Sequence, residues 1–164
     1  MDKIPKVLFL SRGNASRAQM AEGFLRDLAG GRLIPLSAGT EAAEVSPLAM
    51  EVMSEAGIDI STQRPREVAS LFRETFRYAV TLCDEPRERY AVYPFTRNLF
   101  RWSVPDPEAV ADGPETKKQA FRQVRDQIRS RVQELIETAS QPDSAFLYVH
   151  TPASRAEPQA GLMN

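Results

Sequence analysis

Apolar and polar positions alternate along this chain with two distinct rhythms. Val7-Leu8-Phe9-Leu10 is a continuous apolar run of strand length, as expected for a strand covered on both faces. A polar loop follows, Ser11 to Arg17, and then Met20, Ala21, Phe24, Leu25 and Leu28 recur at spacings of three and four until Gly30-Gly31. That spacing predicts a helix closed by glycine. Leu33 to Leu36 reads as a second strand, and Pro35 within it argues for an edge, because proline has no N–H to give to a neighbouring strand. Ser46-Pro47 starts a second helix whose stripe is Leu48, Val52, Met53 and Ala56, ending at Gly57. Ile58 to Ile60 predicts a short extended piece, and Pro65 to Phe72 a short helix. Tyr78 to Leu82, ending at Cys83, is a third strand, and Leu99 to Val104 a fourth. Ala120, Phe121, Val124, Ile128, Val132, Leu135 and Ile136 mark one face of a long helix from about Glu115 to Thr138.

Strands alternating with helices in this way predict an α/β three-layer sandwich, with a four-stranded, mostly parallel sheet, right-handed crossovers and helices on both faces. Residues 1–140 form one domain in this reading. Residues 141–164 read as a C-terminal tail, largely disordered, in which Ala145 to Val149 adds a little order. Ligands of such folds bind at the carboxyl ends of the strands. Three polar segments fall there: Ser11–Arg17, Cys83–Arg89 and Val104–Ala109.

The composition narrows the chemistry. The 164 residues carry 21 Lys and Arg against 22 Asp and Glu, a net charge of −1, without the basic excess of a nucleic-acid or anionic-membrane binder. No apolar run is long enough for a membrane span, and the N-terminus lacks the features of a signal peptide, so a cytoplasmic protein is expected. A single cysteine, Cys83, and a single histidine, His150, argue against a disulfide framework and against a zinc site, and no metal or cofactor is expected.

The segment Ser11-Arg12-Gly13-Asn14-Ala15-Ser16-Arg17 carries the functional signal. Successive amides in a loop between a buried strand and a helix N-terminus make an anion nest, to which the helix start adds further donors. Gly13 is expected to allow a conformation that a side chain would block. Arg17, six residues after Ser11, can fold back and grip two oxygens of a phosphate-like ion. The competing reading is a capped turn bearing two solvated arginines. The strand before the loop and the helix after it favour an oxyanion site formed by Arg12, Gly13, Asn14, Ala15, Ser16 and Arg17.

Residues 7–23, running Val7 to Gly23 through this loop, resemble the signature loop of the low-molecular-weight protein tyrosine phosphatase superfamily. More narrowly they resemble its thioredoxin-coupled arsenate reductases. The likeness continues through Leu36–Thr40, Gly57–Ser61, Val80–Asp84, Trp102–Pro107 and Ala120–Asp126, and covers roughly residues 4–138. It implies a low-molecular-weight phosphatase-like fold and binding of arsenate or phosphate, with thioredoxin or a phosphoprotein as partner and a role in arsenic resistance. Asp106, held between two prolines, is implied as general acid, while Asn14 and Ser37 resemble residues that brace the loop. Arg12, Arg64, Arg66, Arg87 and Arg89 are candidates for the rim of the site, with solvated surface charge the simpler reading of each.

Two departures from the family pattern stand out. Its loop is Cys-x5-Arg, and here Ser11 holds the nucleophile position. A nest of amides can bring a thiol into its thiolate form at neutral pH, whereas a serine needs an adjacent base. The reductases also pass oxidation along three cysteines. Cys83 stands at the second position, but Tyr90 stands where the third would fall. Ser11 is either natural or an engineered replacement of cysteine, and a single engineered change would not account for both losses. Impaired covalent catalysis is therefore expected, with Cys83 either a residual redox group or a buried apolar residue. The alternative to an enzyme is a non-catalytic oxyanion- or phosphoprotein-binding regulatory paralogue.

Overall fold

The computed structural model describes residues 3–13, 15–84, 96 and 98–141. Four parallel strands form one sheet: β1 (Lys6–Ser11), β2 (Ile34–Gly39), β3 (Tyr78–Cys83) and β4 (Asn98–Ser103), in the order β2-β1-β3-β4. The register pairs Leu8 with Leu36 and Ala79, and Val80 with Phe100. Pro35 lies on an edge strand, as its missing N–H requires. Ile34 donates its N–H toward the β1 side, to Pro5 O at 2.9 Å. Strand alternation then turns the Pro35 nitrogen to the open edge, where no ladder bond is lost.

Alternation along β1 divides the core. Val7 and Phe9 face a layer of three helices, α1 (Arg17–Ala29), α2 (Pro47–Glu55) and α3 (Pro114–Ala139), and join a cluster with Phe24, Met53, Val80, Trp102, Phe121 and Ile128. Phe9 and Trp102 sit with ring centroids 5.9 Å apart. Leu8 and Leu10 face the other way, with Ala38, Leu71, Phe76 and Ala79, beneath a 3₁₀ helix at Val68–Leu71. Among the described residues, three α-helices thus cover one face of the sheet and this 3₁₀ helix lies on the other. Phe121, Val124, Ile128, Val132 and Leu135 are the buried residues of α3, matching the apolar stripe. Gly30 and Gly31, both at positive φ, end α1 where expected.

Ile58 to Ile60, expected as a short extended piece, lies outside the sheet in an irregular segment. Ser61 donates its N–H to Asp59 Oδ1 at 2.8 Å, turning the chain, while Ile60 is driven fully into the core against α1. The short apolar alternation there reflects one buried side chain in an irregular segment rather than sheet pairing. The tail region Ala145 to Val149 lies outside the described residues, as does the rest of 142–164.

Gly23 makes the approach of Ile60 possible. A Cβ on Gly23 would stand 2.6 Å from Ile60 Cγ2 and 3.2 Å from Met53 Cε. Gly23→Ala would gain up to about 1 kcal/mol of helix propensity but overpack two buried side chains, which costs about 1–3 kcal/mol. The contact with a β-branched, fully buried residue decides the sign. Urea denaturation is expected to show a net loss of about 1–2 kcal/mol for Gly23→Ala. Gly23→Ala combined with Ile60→Ala is expected to cost less than the sum of the two single changes.

Candidate functional site

The strand order reverses direction between β1 and β3, which places a crevice at their carboxyl ends. Ser11 ends β1 there, nearly fully buried, and Arg17 opens α1. Between them the loop is held from outside. The Arg12 carbonyl accepts bonds from Thr40 Oγ1 at 2.9 Å and from the Glu41 N–H at 3.3 Å. The Gly13 carbonyl accepts from the Ala43 N–H at 3.1 Å, and the Ala15 carbonyl from the Ser46 N–H at 2.8 Å. In a planar trans peptide the carbonyl and the following N–H point in opposite directions. The N–H groups of Gly13 and Ser16 therefore aim away from segment 40–46, to the other side of the loop.

That side is a cleft of about 340 Å³ lined by Ser11, Arg12, Gly13, Ala15, Ser16, Arg17, Glu41, Asp106 and Glu108. Arg17 is only 4% exposed. Its Nη1 donates to the Val104 carbonyl at 3.1 Å, and its Nη2 faces Asp106 Oδ2 at 3.9 Å. Val104 in turn donates its N–H to the Cys83 carbonyl at 3.0 Å. One buried guanidinium thus joins the β1 loop to the end of β4, which is itself tied to the end of β3. Asp106 is fixed from its own side, its Oδ1 accepting the Glu108 N–H at 3.0 Å as the cap of a short 3₁₀ helix, Pro107–Ala109. A buried cation, inward amides and a half-exposed carboxylate across a cleft can hold a tetrahedral anion and deliver a proton to one of its oxygens.

The cleft therefore gathers Ser11, Arg12, Gly13, Ala15, Ser16, Arg17 and Asp106 from the sequence-derived set. Asn14, Arg87, Arg89, Tyr90 and His150 lie outside the described residues. Cys83 ends β3, buried, at the same end of the sheet but not among the residues lining the cleft. Arg64 and Arg66 do not line it either. Gly13 differs from expectation. It has no positive φ, and a Cβ there would meet only Ala43 Cβ, at 3.9 Å, an ordinary contact. The backbone does not demand glycine at this position. Among the described residues no cluster of three or more His, Cys, Asp or Glu side chains gathers as a metal site, and no helix is long and apolar enough to cross a membrane.

A buried polar layer behind the loop escaped the sequence reading. Gln19, Glu22 and Arg26 follow one another at helical spacing on α1. Gln63 Nε2 donates to Gln19 Oε1 at 2.8 Å and to the Gln19 carbonyl at 2.9 Å, while Arg26 Nη1 donates to Gln63 Oε1 at 2.6 Å. Glu22, with a side chain 6% exposed, has Arg26 Nη2 at 3.5 Å. Burial raises the Glu22 pKa above the ordinary carboxylate range, opposed by the charges of Arg26 and Arg66 and by the Ser37 N–H. The Ser37 hydroxyl is buried without a hydrogen-bond partner among the described residues, and Asn14, the other residue expected to brace the loop, lies outside them. The missed signal was the polar i, i+3, i+7 row on α1, a second contact face beside the apolar stripe.

The fold and cleft define a class: a parallel α/β protein presenting an arginine-anchored loop at its switch point. The family model for low molecular weight phosphotyrosine protein phosphatase matches residues 6–144. The chain is 38% identical over 133 residues to an arsenate reductase of Bacillus subtilis, covering 80% of this chain and 95% of that protein. It is 34% identical over 136 residues to a glutaredoxin arsenate reductase of Synechocystis, with the same coverage of 80% and 95%. Among solved structures, an arsenate reductase in the phosphate binding state superposes with a TM-score of 0.71 at 31% identity, over 83% of this chain and 99% of that one. This chain belongs to the low molecular weight phosphotyrosine protein phosphatase family.

Because burial raises the Glu22 pKa, the folded state keeps that proton to higher pH than the unfolded chain does. The stabilisation from protonation is complete below the unfolded value and is lost as pH rises through the folded one. Urea unfolding of the parent and of Glu22→Gln is expected to show the difference shifting in the variant's favour as pH rises from about 4 toward 7. A constant difference across that range would mean that Arg26, Arg66 and the Ser37 amide fully offset burial.

Proposed function

We propose that this chain binds a tetrahedral oxyanion, arsenate or phosphate, in the loop from Ser11 to Arg17, with covalent turnover strongly impaired. The observation that carries the reading is Arg17: a guanidinium 96% removed from solvent, on the wall of a cleft toward which the Gly13 and Ser16 amides turn. A buried cation is costly unless polar or negative groups answer it; the Val104 carbonyl and Asp106 Oδ2 at 3.9 Å are among its partners, and its place on the cleft wall lets it meet a bound anion as well. Names of relatives support the same ligand class, since they include arsenate reductases and one structure described in a phosphate binding state.

The chemistry of the loop sets the limit on turnover. A hydroxyl at Ser11 needs a base to attack phosphorus or arsenic. The described residues contain no histidine, no hydrogen bond joins the Ser11 hydroxyl to a carboxylate among them, and Asp106 is the group expected to protonate a leaving oxygen. A single thiol, Cys83, cannot close an intramolecular disulfide, so thioredoxin-coupled reduction of arsenate is not expected of this chain by itself. Retained binding with lost attack fits the non-catalytic paralogue better than a working reductase.

Arg17→Ala is expected to weaken phosphate or arsenate binding by about 1.5–3 kcal/mol, the worth of a charge-assisted contact. Calorimetric titration reads this directly, and equal affinity in the two proteins would remove Arg17 from the site. Ser11→Cys is expected to produce hydrolysis of an aryl phosphate between about pH 5 and 8, with Asp106→Asn in that background slowing it by ~10²–10⁴-fold. Absence of any hydrolysis by Ser11→Cys would mean that the loop or Asp106 is misplaced for attack.

A further inference from the structure

Among the described residues, carboxylates outnumber cations around the cleft. Among the described residues lining it, Arg12 and Arg17 face three carboxylates: Glu41, Asp106 and Glu108. Asp106 is set against Arg17 across the cleft. Glu41 and Glu108 are exposed and stand at the rim. Both are anchored to the machinery through their own backbones. The Glu41 N–H bonds the Arg12 carbonyl, and the Glu108 N–H bonds Asp106 Oδ1. Lys117 Nζ lies 3.5 Å from Glu108 Oε2 and answers part of that charge, whereas Glu41 has no ion pair among the described residues. The cleft, at about 340 Å³, is also larger than a bare tetrahedral ion requires and falls at the low end of pockets that hold whole small ligands, ~300–1,000 Å³.

We infer that Glu41 and Glu108 are specificity residues, and that the cleft takes a phosphorylated peptide whose neighbouring side chains are lysine or arginine. The inference rests on the oxyanion reading above. Arg17 and the loop amides supply the anchor for any phosphoryl group. The two glutamates then penalise whatever arrives with nothing positive beside it. Both line the same cleft as Arg17, and charges closer than a Debye length, ~8–10 Å at ordinary salt, repel without being fully screened. A free phosphate or arsenate ion meets both carboxylates uncompensated. A phosphopeptide with acidic flanks adds like charge to like. A cationic flank converts the same carboxylates from penalty to contact, which is selection by repulsion as much as by attraction.

The test is calorimetry on the full chain and on Glu41→Gln/Glu108→Gln. Four probes are titrated: inorganic phosphate, a phosphotyrosine peptide flanked by arginines, the same peptide flanked by glutamates, and the unphosphorylated arginine peptide. The parent is expected to bind the arginine-flanked phosphopeptide at least ~10-fold tighter than the glutamate-flanked one, with the gap narrowing as salt rises. In the double variant the gap should shrink to about threefold or less, while inorganic phosphate should bind about threefold tighter than to the parent. Both glutamates are exposed, and matching thermal melts establish that the variant is folded. Equal affinity for the two phosphopeptides, or a preference undiminished in the double variant, would overturn the assignment. So would binding of the unphosphorylated peptide as tight as the phosphorylated one. Phosphate binding that depends on Arg17 but shows no flank preference would overturn this inference alone. Failure of every phosphorylated probe to bind would overturn the oxyanion reading and this inference with it.

Discussion

The contact between the Arg17 guanidinium and the Val104 carbonyl holds the carboxyl end of this sheet together. Arg17 is the first residue of α1, so its backbone is fixed by a helix whose Met20 N–H already bonds Ser16 O at 2.8 Å. Its side chain crosses to β4 and buries a positive charge at the one place where three strand ends meet. The Val104 N–H on the Cys83 carbonyl continues the link to β3. Burying a cation in this way destabilises the fold unless its donors are answered. The Val104 carbonyl and the Asp106 carboxylate are among the groups positioned to do so.

The loop around that anchor owes its shape to its neighbours more than to its own residues. Thr40, Glu41, Ala43 and Ser46 take up the carbonyls of residues 12, 13 and 15, and the amides turn inward as a consequence of peptide planarity. None of these contacts involves the side chain at position 11. A hydroxyl can therefore replace a thiol without disturbing the cradle, which separates recognition from attack in physical terms. Recognition needs donors and a cation. Attack needs a group that is ionised at neutral pH, and an oxygen there lacks the acidity of sulfur.

Much of this was legible in the sequence. The apolar run 7–10, the 3.6-residue stripes of α1 and α3, Pro35 on an edge strand and the glycine pair after α1 each follow from local rules that the tertiary structure does not override. Arg17 was singled out by its place in the loop and Asp106 by its place after the last strand together with the family resemblance, and the fold brings the two to one cleft. Other features depend on distant contacts with no local signature. Nothing around Ile60 announces that it fills the space left by the missing side chain of Gly23. Glu22 reads as a surface charge on an amphipathic helix until the fold buries it beside Arg66 and the Ser37 amide. Glu41 and Glu108, 67 residues apart in the chain, become neighbours of one cleft only through the sheet order β2-β1-β3-β4. Gly13 misled for the converse reason. Glycine permits unusual backbone angles but does not imply them.

The proposed function is a preformed oxyanion cradle uncoupled from covalent chemistry. Phosphorus NMR of oxygen-18-labelled phosphate incubated with the unaltered chain tests both halves at once. Binding in exchange broadens the resonance, and reversible attack on phosphorus would replace the heavy oxygens with those of water. The account predicts a broadened line whose isotopic pattern stays unchanged over a long incubation. A line as sharp as that of free phosphate, or progressive loss of the label, would contradict it.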